Sequence, residues 1–203
     1  MKLNAIQQIC KGAKRIVLYT SPEKTAQWIS DGGAFYPLYN LPRMGDENIF
    51  PLFDIPEKKR DKIRLEQHTN LPEILNFADR DMGENLLDQG KLSLCVNGRT
   101  MIPLHTSLGA VYINAKYLVP FKDIENGVQL YERNTPSGAV YIAVKEGFLL
   151  TGIILPYDIL TQDFIKELES LHRLTVLAEE NRKVLCSISE EETEQMVIED
   201  IDE

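Results

Sequence analysis

The chain has 203 residues, 43% hydrophobic and 26% charged, with a formal net charge of −9. That composition fits a globular protein with room for one large domain or two small ones. No apolar run reaches the roughly 18–20 residues needed to span a bilayer, so no membrane partner is expected.

The N-terminal stretch MKLNAIQQICKGAKR has neither the apolar core nor the small-residue cleavage site of a signal peptide, which makes the cytoplasm the expected compartment. Cys10, Cys95 and Cys186 lie far apart without a CxxC pair, and His68, His105 and His172 are equally scattered. Neither a disulfide framework nor a structural zinc site is expected from such spacing, and no cofactor. The charge is uneven. Glu190, Glu191, Glu192, Glu194, Glu199, Asp200, Asp202 and Glu203 fall after Ser187 with no basic residue among them. The first 186 residues are then nearly neutral, with 23 acidic against 22 basic groups. The tail, 187–203, reads as a solvated, disordered segment that aids solubility or as a DNA-mimicking, autoinhibitory one.

In chain order, LNAIQQICKG places Leu3, Ile6, Ile9 and Cys10 on one helical face, with Asn4 as the candidate cap and Gly12 as the stop. RIVLYT and TAQWIS read as strands, and Asp31-Gly32-Gly33 supplies turn chemistry before AFYPLYNLP. The stretch GDENIFPLFDIPEKKRDKI is polar and broken by Pro51 and Pro56. KIRLEQ predicts a strand, and NLPEILNFADRDM a short helix capped by Asn70 with Pro72 in its first turn. KLSLCVNGRTMIPLH predicts a hairpin around a type I′ Asn97-Gly98 turn. GAVYIN is a strand, NAKYLVPFKDIENG begins as a helix capped by Asn114, and VQLYER, GAVYIAV and GFLLTGIILP are strands, the last two joined at Lys145-Glu146-Gly147. Helix is clearest over LTQDFIKELESLHRLTVLAEENRK, capped by Thr161. Its stripe of Phe164, Ile165, Leu168, Leu171, Leu174 and Ala178 either packs on the domain or forms an oligomer seam.

Two distant stretches share this pattern. Leu3-Asn4-Ala5 matches Ile113-Asn114-Ala115, Val17-Leu18-Tyr19 matches Gln129-Leu130-Tyr131, and Gly33, Leu41 and Pro42 match Gly147, Leu155 and Pro156, at offsets between 110 and 114 residues. The expected architecture is α+β: residues 1–160 hold duplicated strand-helix-strand-strand-strand units, with copies at about 1–42 and 109–158. Residues 43–108 are an insert or a worn third copy, and 161–186 a C-terminal helix.

About 100 to 120 of the residues resemble the repeated strand-helix-strand-strand-strand units of the DNA sliding clamps. VYINAKYLVPFKDIENGVQLY is similar to the clamp strand, N-x-x-Y-L helix and following strand, and GFLLTGIILPYDIL to the C-terminal strand of the bacterial replicative clamp. SDGGAFYPLYNLPRMGDENIF resembles the hairpin and Leu-Pro exit strand that closes a clamp domain. The resemblance implies two helices facing a channel, with Lys11, Lys14, Arg15, Lys116 and Lys122 towards double-stranded DNA. Such lysines and arginines hold phosphates without reading sequence, or simply solvate helix faces. The resemblance also implies a groove of Ile153, Leu155, Pro156 and Tyr157 for short peptide motifs of replication proteins, where the residue pattern by itself also fits plain core strand. A chain this short needs several copies to encircle DNA, so a homo-oligomer is expected, in a phage or mobile-element setting. Pro120 predicts an interruption of the second helix.

Catalytic motifs are missing: there is no P-loop, G-x-G-x-x-G, G-x-S-x-G or H-E-x-x-H. DRDMGEN offers Asp79, Asp81 and Glu84 as oxygen ligands for Mg²⁺, with no adjacent His, Lys or Ser to suggest a mechanism, and reads otherwise as a capped acidic loop. The expected function is a non-enzymatic, DNA-associated accessory or processivity-type platform; the alternatives are a protein-interaction module of the same fold and a metal-dependent enzyme.

Overall fold

The computed structural model describes residues 2–21, 26–88, 92–124 and 127–199, with side chains as far as Lys183 and excepting that of Asp46. Two compact units emerge, Met1–Asp158 and Ile159–Glu203. In chain order the first holds α1 (Leu3–Lys11), β1 (Arg15–Tyr19), β2 (Gln27–Ser30), β3 (Ala34–Leu38), α2 (Asp46–Leu52), α3 (Glu57–Arg60), β4 (Arg64–His68), β5 (Asn85–Leu86), β6 (Leu94–Val96), β7 (Arg99–Thr106) and β8 (Gly109–Asn114). A 3-10 helix, η1 (Ala115–Phe121), then leads to β9 (Gln129–Asn134), β10 (Val140–Glu146) and β11 (Leu149–Ile154).

The fold is α+β. Eight strands form one sheet in the order β4-β1-β2-β3-β11-β10-β9-β5, and β6-β7-β8 form a second. Within the large sheet, β1–β2–β3 and β11–β10–β9 run outward from a central antiparallel contact, where Phe35 faces Ile153 and Ala34 faces Ile154. Pairing is antiparallel throughout except for β1 with β4. Residues 43–108 do not repeat the element order of their neighbours. They hold two short helices, the two strands that extend the sheet at its edges, and the β6–β7 hairpin.

Local chemistry explains most of these elements. Asn97 (φ 50°) and Gly98 (φ 72°) both adopt the left-handed backbone that a type I′ turn requires. Asn114 caps η1 by accepting from Lys116 N at 3.0 Å. Asn4, expected as the cap of α1, lies inside the helix instead; Lys2 occupies the cap position without a side-chain bond. Pro120 lies within η1, whose tighter 3-10 turns replace the α-helix expected there.

Strand alternation sends side chains to two cores. One face carries Ile16, Leu18, Ile29, Tyr36, Ile142, Val144 and Ile154 beneath α1 and η1, and also receives Ile49 and Phe53 of the α2 segment. The other carries Trp28, Phe35, Tyr141, Ala143, Leu150 and Ile153 beneath Leu75 and Phe77. The short helix predicted around Leu71–Met82 is absent; this segment is a chain of turns. Its carbonyls explain why. Those of Asn76 and Ala78 accept from Arg133 Nη1 at 2.9 and 2.8 Å, and that of Asp79 from Nη2 at 3.3 Å. They therefore bind a guanidinium rather than the next helical turn. A second polar tie holds the two sheets: buried Glu132 of β9 accepts from Ser107 N at 2.8 Å and from Ser107 Oγ, at the β7–β8 turn.

The second unit is α4 (Gln162–Glu199). Thr161 Oγ1 accepts from Phe164 N at 3.2 Å, as the capping pattern predicts. The helical backbone continues past residue 186, where the sequence reading placed the start of a disordered tail; no Gly or Pro falls between Gln162 and Glu199 to stop it. Asp200, Asp202 and Glu203 of that expected tail lie outside the described residues. Leu168, Leu171 and Leu174 of the apolar stripe are exposed. No helix among the described residues is long and apolar enough to cross a membrane.

Beneath the turn-rich segment lies an ionic cluster. Arg133 and Lys145 have side chains 0% and 4% exposed and both meet Glu84, at 2.5 Å. Burial pushes the Glu84 carboxyl up, but hydrogen bonds from Lys145 and Arg133 outweigh burial and hold it below its ordinary 4.5. A carboxyl held low in the folded state contributes stability above its unfolded value, and that stability is lost as pH falls through the folded one. Removing one partner of such a cluster strands the others. Glu84→Gln is therefore expected to lower the unfolding free energy by about 3 kcal/mol at neutral pH. Urea titrations of both proteins at neutral pH and at about pH 3 check this, with the gap between them narrowing at the acid end.

Candidate functional site

A cleft of about 790 Å³ opens where the C-terminal end of α1, the β2–β3 turn, the β6–β7 turn and η1 meet Tyr157. Among the described residues four cations line it, Lys14, Arg99, Lys116 and Lys122, against a single acid, Asp31. All four cationic residues are exposed.

The floor of the cleft is built by close backbone approach. A Cβ on Gly33 would lie 2.1 Å from the Tyr117 hydroxyl oxygen, and one on Gly152 would lie 2.6 Å from Cζ of Phe121. Only hydrogen at these two positions lets the η1 aromatics rest on the sheet. Tyr117 then meets Asp31 Oδ2 through its hydroxyl at 3.0 Å and the Tyr157 hydroxyl at 2.9 Å. Lys116 Nζ reaches the same Asp31 oxygen at 3.0 Å and lies 4.5 Å from the Tyr117 ring centroid. The other Asp31 oxygen accepts from Gly33 N and Ala34 N at 2.9 and 3.2 Å, capping its own turn. Burial, the Tyr157 hydroxyl and the Asp31 charge all push the Tyr117 phenol up, so it keeps its proton.

Three of the five cations expected to face DNA, Lys14, Lys116 and Lys122, meet in this cleft. The other two are paired elsewhere. Lys11 binds Asp54 at 2.9 Å. Arg15 grips Glu66 with Nε at 3.0 Å and Nη2 at 2.5 Å, and that hydrogen bond is the main reason the Glu66 carboxyl is lowered. Arg99 was not singled out by sequence reasoning. It directly follows the Asn97-Gly98 turn, which was the available signal that it stands at an exposed corner.

The residues proposed to line a peptide groove do not share a face. Ile153 is fully buried in the second core and Leu155 packs against that same cluster, with Leu155 N donating to Gly33 O at 2.8 Å. After the half-buried Pro156 the chain turns to the opposite side, where Tyr157 joins the first core and its N donates to Tyr112 O at 2.7 Å. Strand alternation would keep residues 153, 155 and 157 on one face; the turn of the chain at Pro156 takes Tyr157 away from the other two. Of the acidic loop, Glu84 is engaged by Arg133 and Lys145. Asp81 accepts from Asn76 Nδ2 and Gly83 N, and Asp79 accepts from Leu150 N. The three carboxylates thus serve three different local contacts, and no metal-ligating cluster occurs among the described residues.

The chain matches no protein-family model, no curated protein and no solved structure. What the cleft can do follows from its own residues: it offers several positive charges to an anion, with phenolic oxygens and aromatic rings beside them. Because the floor depends on the absence of a side chain at residue 33, Gly33→Ala is expected to cost about 2 kcal/mol of stability by overpacking. Thermal unfolding measures that loss, and faster hydrogen exchange at η1 amides than at β10 amides locates it.

Proposed function

We propose that the protein is a non-enzymatic, DNA-associated binding platform of clamp-like design, which holds the phosphate backbone of double-stranded DNA at the α1–η1 face. The observation that carries this reading is the convergence of Lys14, Arg99, Lys116 and Lys122 on one cleft. The strand order around the β3–β11 contact also supports it, because the two segments that match in sequence lie side by side in one sheet. Their helical elements, α1 and η1, share one face of that sheet and are joined by the Lys2 N to Pro120 O hydrogen bond at 2.7 Å. Contacts made by charge alone fix no sequence preference and weaken steeply with salt. A processivity role needs several copies, since a single cleft cannot surround a duplex.

A second reading, a protein-interaction module, draws on a different surface. Phe148 and Leu149 stand exposed at the β10–β11 turn, with the Arg80 guanidinium 5.9 Å from the Phe148 ring centroid. Exposed aromatic and arginine side chains together are a common composition for partner contacts.

Fluorescence anisotropy of a labelled duplex at increasing salt tests the first reading. Three or four phosphate contacts predict a slope of log affinity against log salt of about −3. Arg99→Glu with Lys122→Glu is expected to flatten that slope by about two, whereas Arg15→Glu, whose charge is already paired, leaves it nearly unchanged. Absence of duplex binding at low salt removes the reading. Light scattering reports whether the bound species contains more than one copy.

A further inference from the structure

We propose that the cleft is a seat for one nucleotide, with its phosphate on the rim cations and an N–H or O–H of its sugar or base on the Tyr157 hydroxyl oxygen. The inference rests on the cationic cleft of the reading above and adds the ligand class and its orientation.

Size and charge come first. At about 790 Å³ the cleft falls in the range of roughly 300–1,000 Å³ that encloses small ligands. It can admit a nucleotide, not the girth of a duplex. Its cations are not equivalent. Lys116 is tied to Asp31, whose side chain is 4% exposed. Lys14, Arg99 and Lys122 form no ion pair among the described residues. These three therefore remain open to an incoming anion, while the negative charge of Asp31 keeps that anion away from the floor.

Hydrogen-bond direction then specifies the other end of the ligand. A carboxylate only accepts, so the Tyr117 hydroxyl donates to Asp31 Oδ2. With its proton committed there, Tyr117 can only accept from Tyr157, across 2.9 Å. The Tyr157 proton is thereby used, and its oxygen, on a residue that lines the cleft, is left as an acceptor. Both Asp31 oxygens are already occupied by Gly33 N, Ala34 N, Tyr117 and Lys116. The floor thus presents a neutral acceptor and an aromatic ring, and the rim presents unpaired cations. A matching ligand is anionic at one end and carries a donor and a flat face at the other. A phosphate alone, or a sugar phosphate without a base, fills only part of that description.

Calorimetric titration of the full chain with AMP, inorganic phosphate, adenosine and ribose 5-phosphate tests the seat. AMP is expected to bind more tightly than the other three. Tyr157→Phe should weaken AMP about five- to tenfold while leaving phosphate unchanged. Arg99→Ala, on an exposed turn outside the cores, should weaken AMP and phosphate alike, and it remains informative if Tyr157→Phe fails to fold. The seat is overturned if AMP binds no better than phosphate or ribose 5-phosphate, or if Arg99→Ala leaves AMP binding unaltered. A single-stranded deoxyadenylate dodecamer separates the two sources of a nucleotide. Competition with AMP at higher affinity assigns the seat to a nucleic-acid strand, and AMP binding without competition assigns it to the free nucleotide. AMP binding that depends on Arg99, with no duplex binding at low salt, removes the DNA reading and keeps the seat. Duplex binding with AMP no tighter than phosphate does the reverse.

Discussion

The distance between η1 and the sheet governs the rest of the cleft. Tyr117 and Phe121 rest on backbone at Gly33 and Gly152, nearer than any β-carbon would permit. That approach brings the Tyr117 hydroxyl to Asp31, and Asp31 in turn fixes Lys116. Tyr36 adds a second tether by donating from its hydroxyl to Tyr117 O at 3.0 Å. The 3-10 geometry belongs to the same constraint. Pro120 has no N–H to donate and would clash in an α-helical interior, so a short, tighter element carries the aromatics instead. The position of the Lys116 side chain thus depends on missing methyl groups at Gly33 and Gly152, far from η1 in sequence, because close-packed interiors leave no room for an added carbon.

Charge is sorted by partner rather than by number. Arg133 and Lys145 spend their charge inside the fold on Glu84, and without them the segment over the second core would have unmet carbonyls and an unpaired carboxylate. Lys11 and Arg15 are paired at the surface. Exposed pairs of that kind add little to stability. They nonetheless remove a cation from what a ligand meets, which matters more here than their energy. Of the cations that line the cleft, Lys14, Arg99 and Lys122 have no ion-pair partner among the described residues.

The hairpins were legible because turn chemistry is local. Asn97-Gly98 and Lys145-Glu146-Gly147 are sufficient in themselves to reverse the chain, and the alternating apolar residues beside them set which face is buried. The segment around Leu71–Met82 was not legible for the opposite reason. Its Asn and Pro favour a helix start, but its carbonyls are claimed by an arginine 54 to 57 residues away, a contact no local window contains. The same limit applied to the site. Lys14, Lys116 and Lys122 were named through the clamp resemblance, whereas nothing local distinguished them from Lys11 and Arg15, whose neutralising partners Asp54 and Glu66 come from other parts of the chain. The place of Tyr157 after β11 suggests an apolar groove residue; its ring packs on the first core, and its hydroxyl also meets that of Tyr117, a contact no local window contains.

The two stretches matched in sequence are put to different uses. Asp31-Gly32-Gly33 and Lys145-Glu146-Gly147 occupy corresponding places in sequence, and each turns a charged side chain inward, Asp31 and Lys145 both being 4% exposed. Their partners lie on opposite faces of the sheet. Asp31 looks towards η1 and orders the cleft floor, while Lys145 reaches Glu84 and secures the cover of the second core. A twofold-related framework would offer two equivalent corners, yet the sign of one residue and the element above it make only the first corner an opening lined with cations. The second is closed by an ion pair. Single side chains are therefore enough to make one of these two corners an opening lined with cations and the other a closed, ion-paired contact.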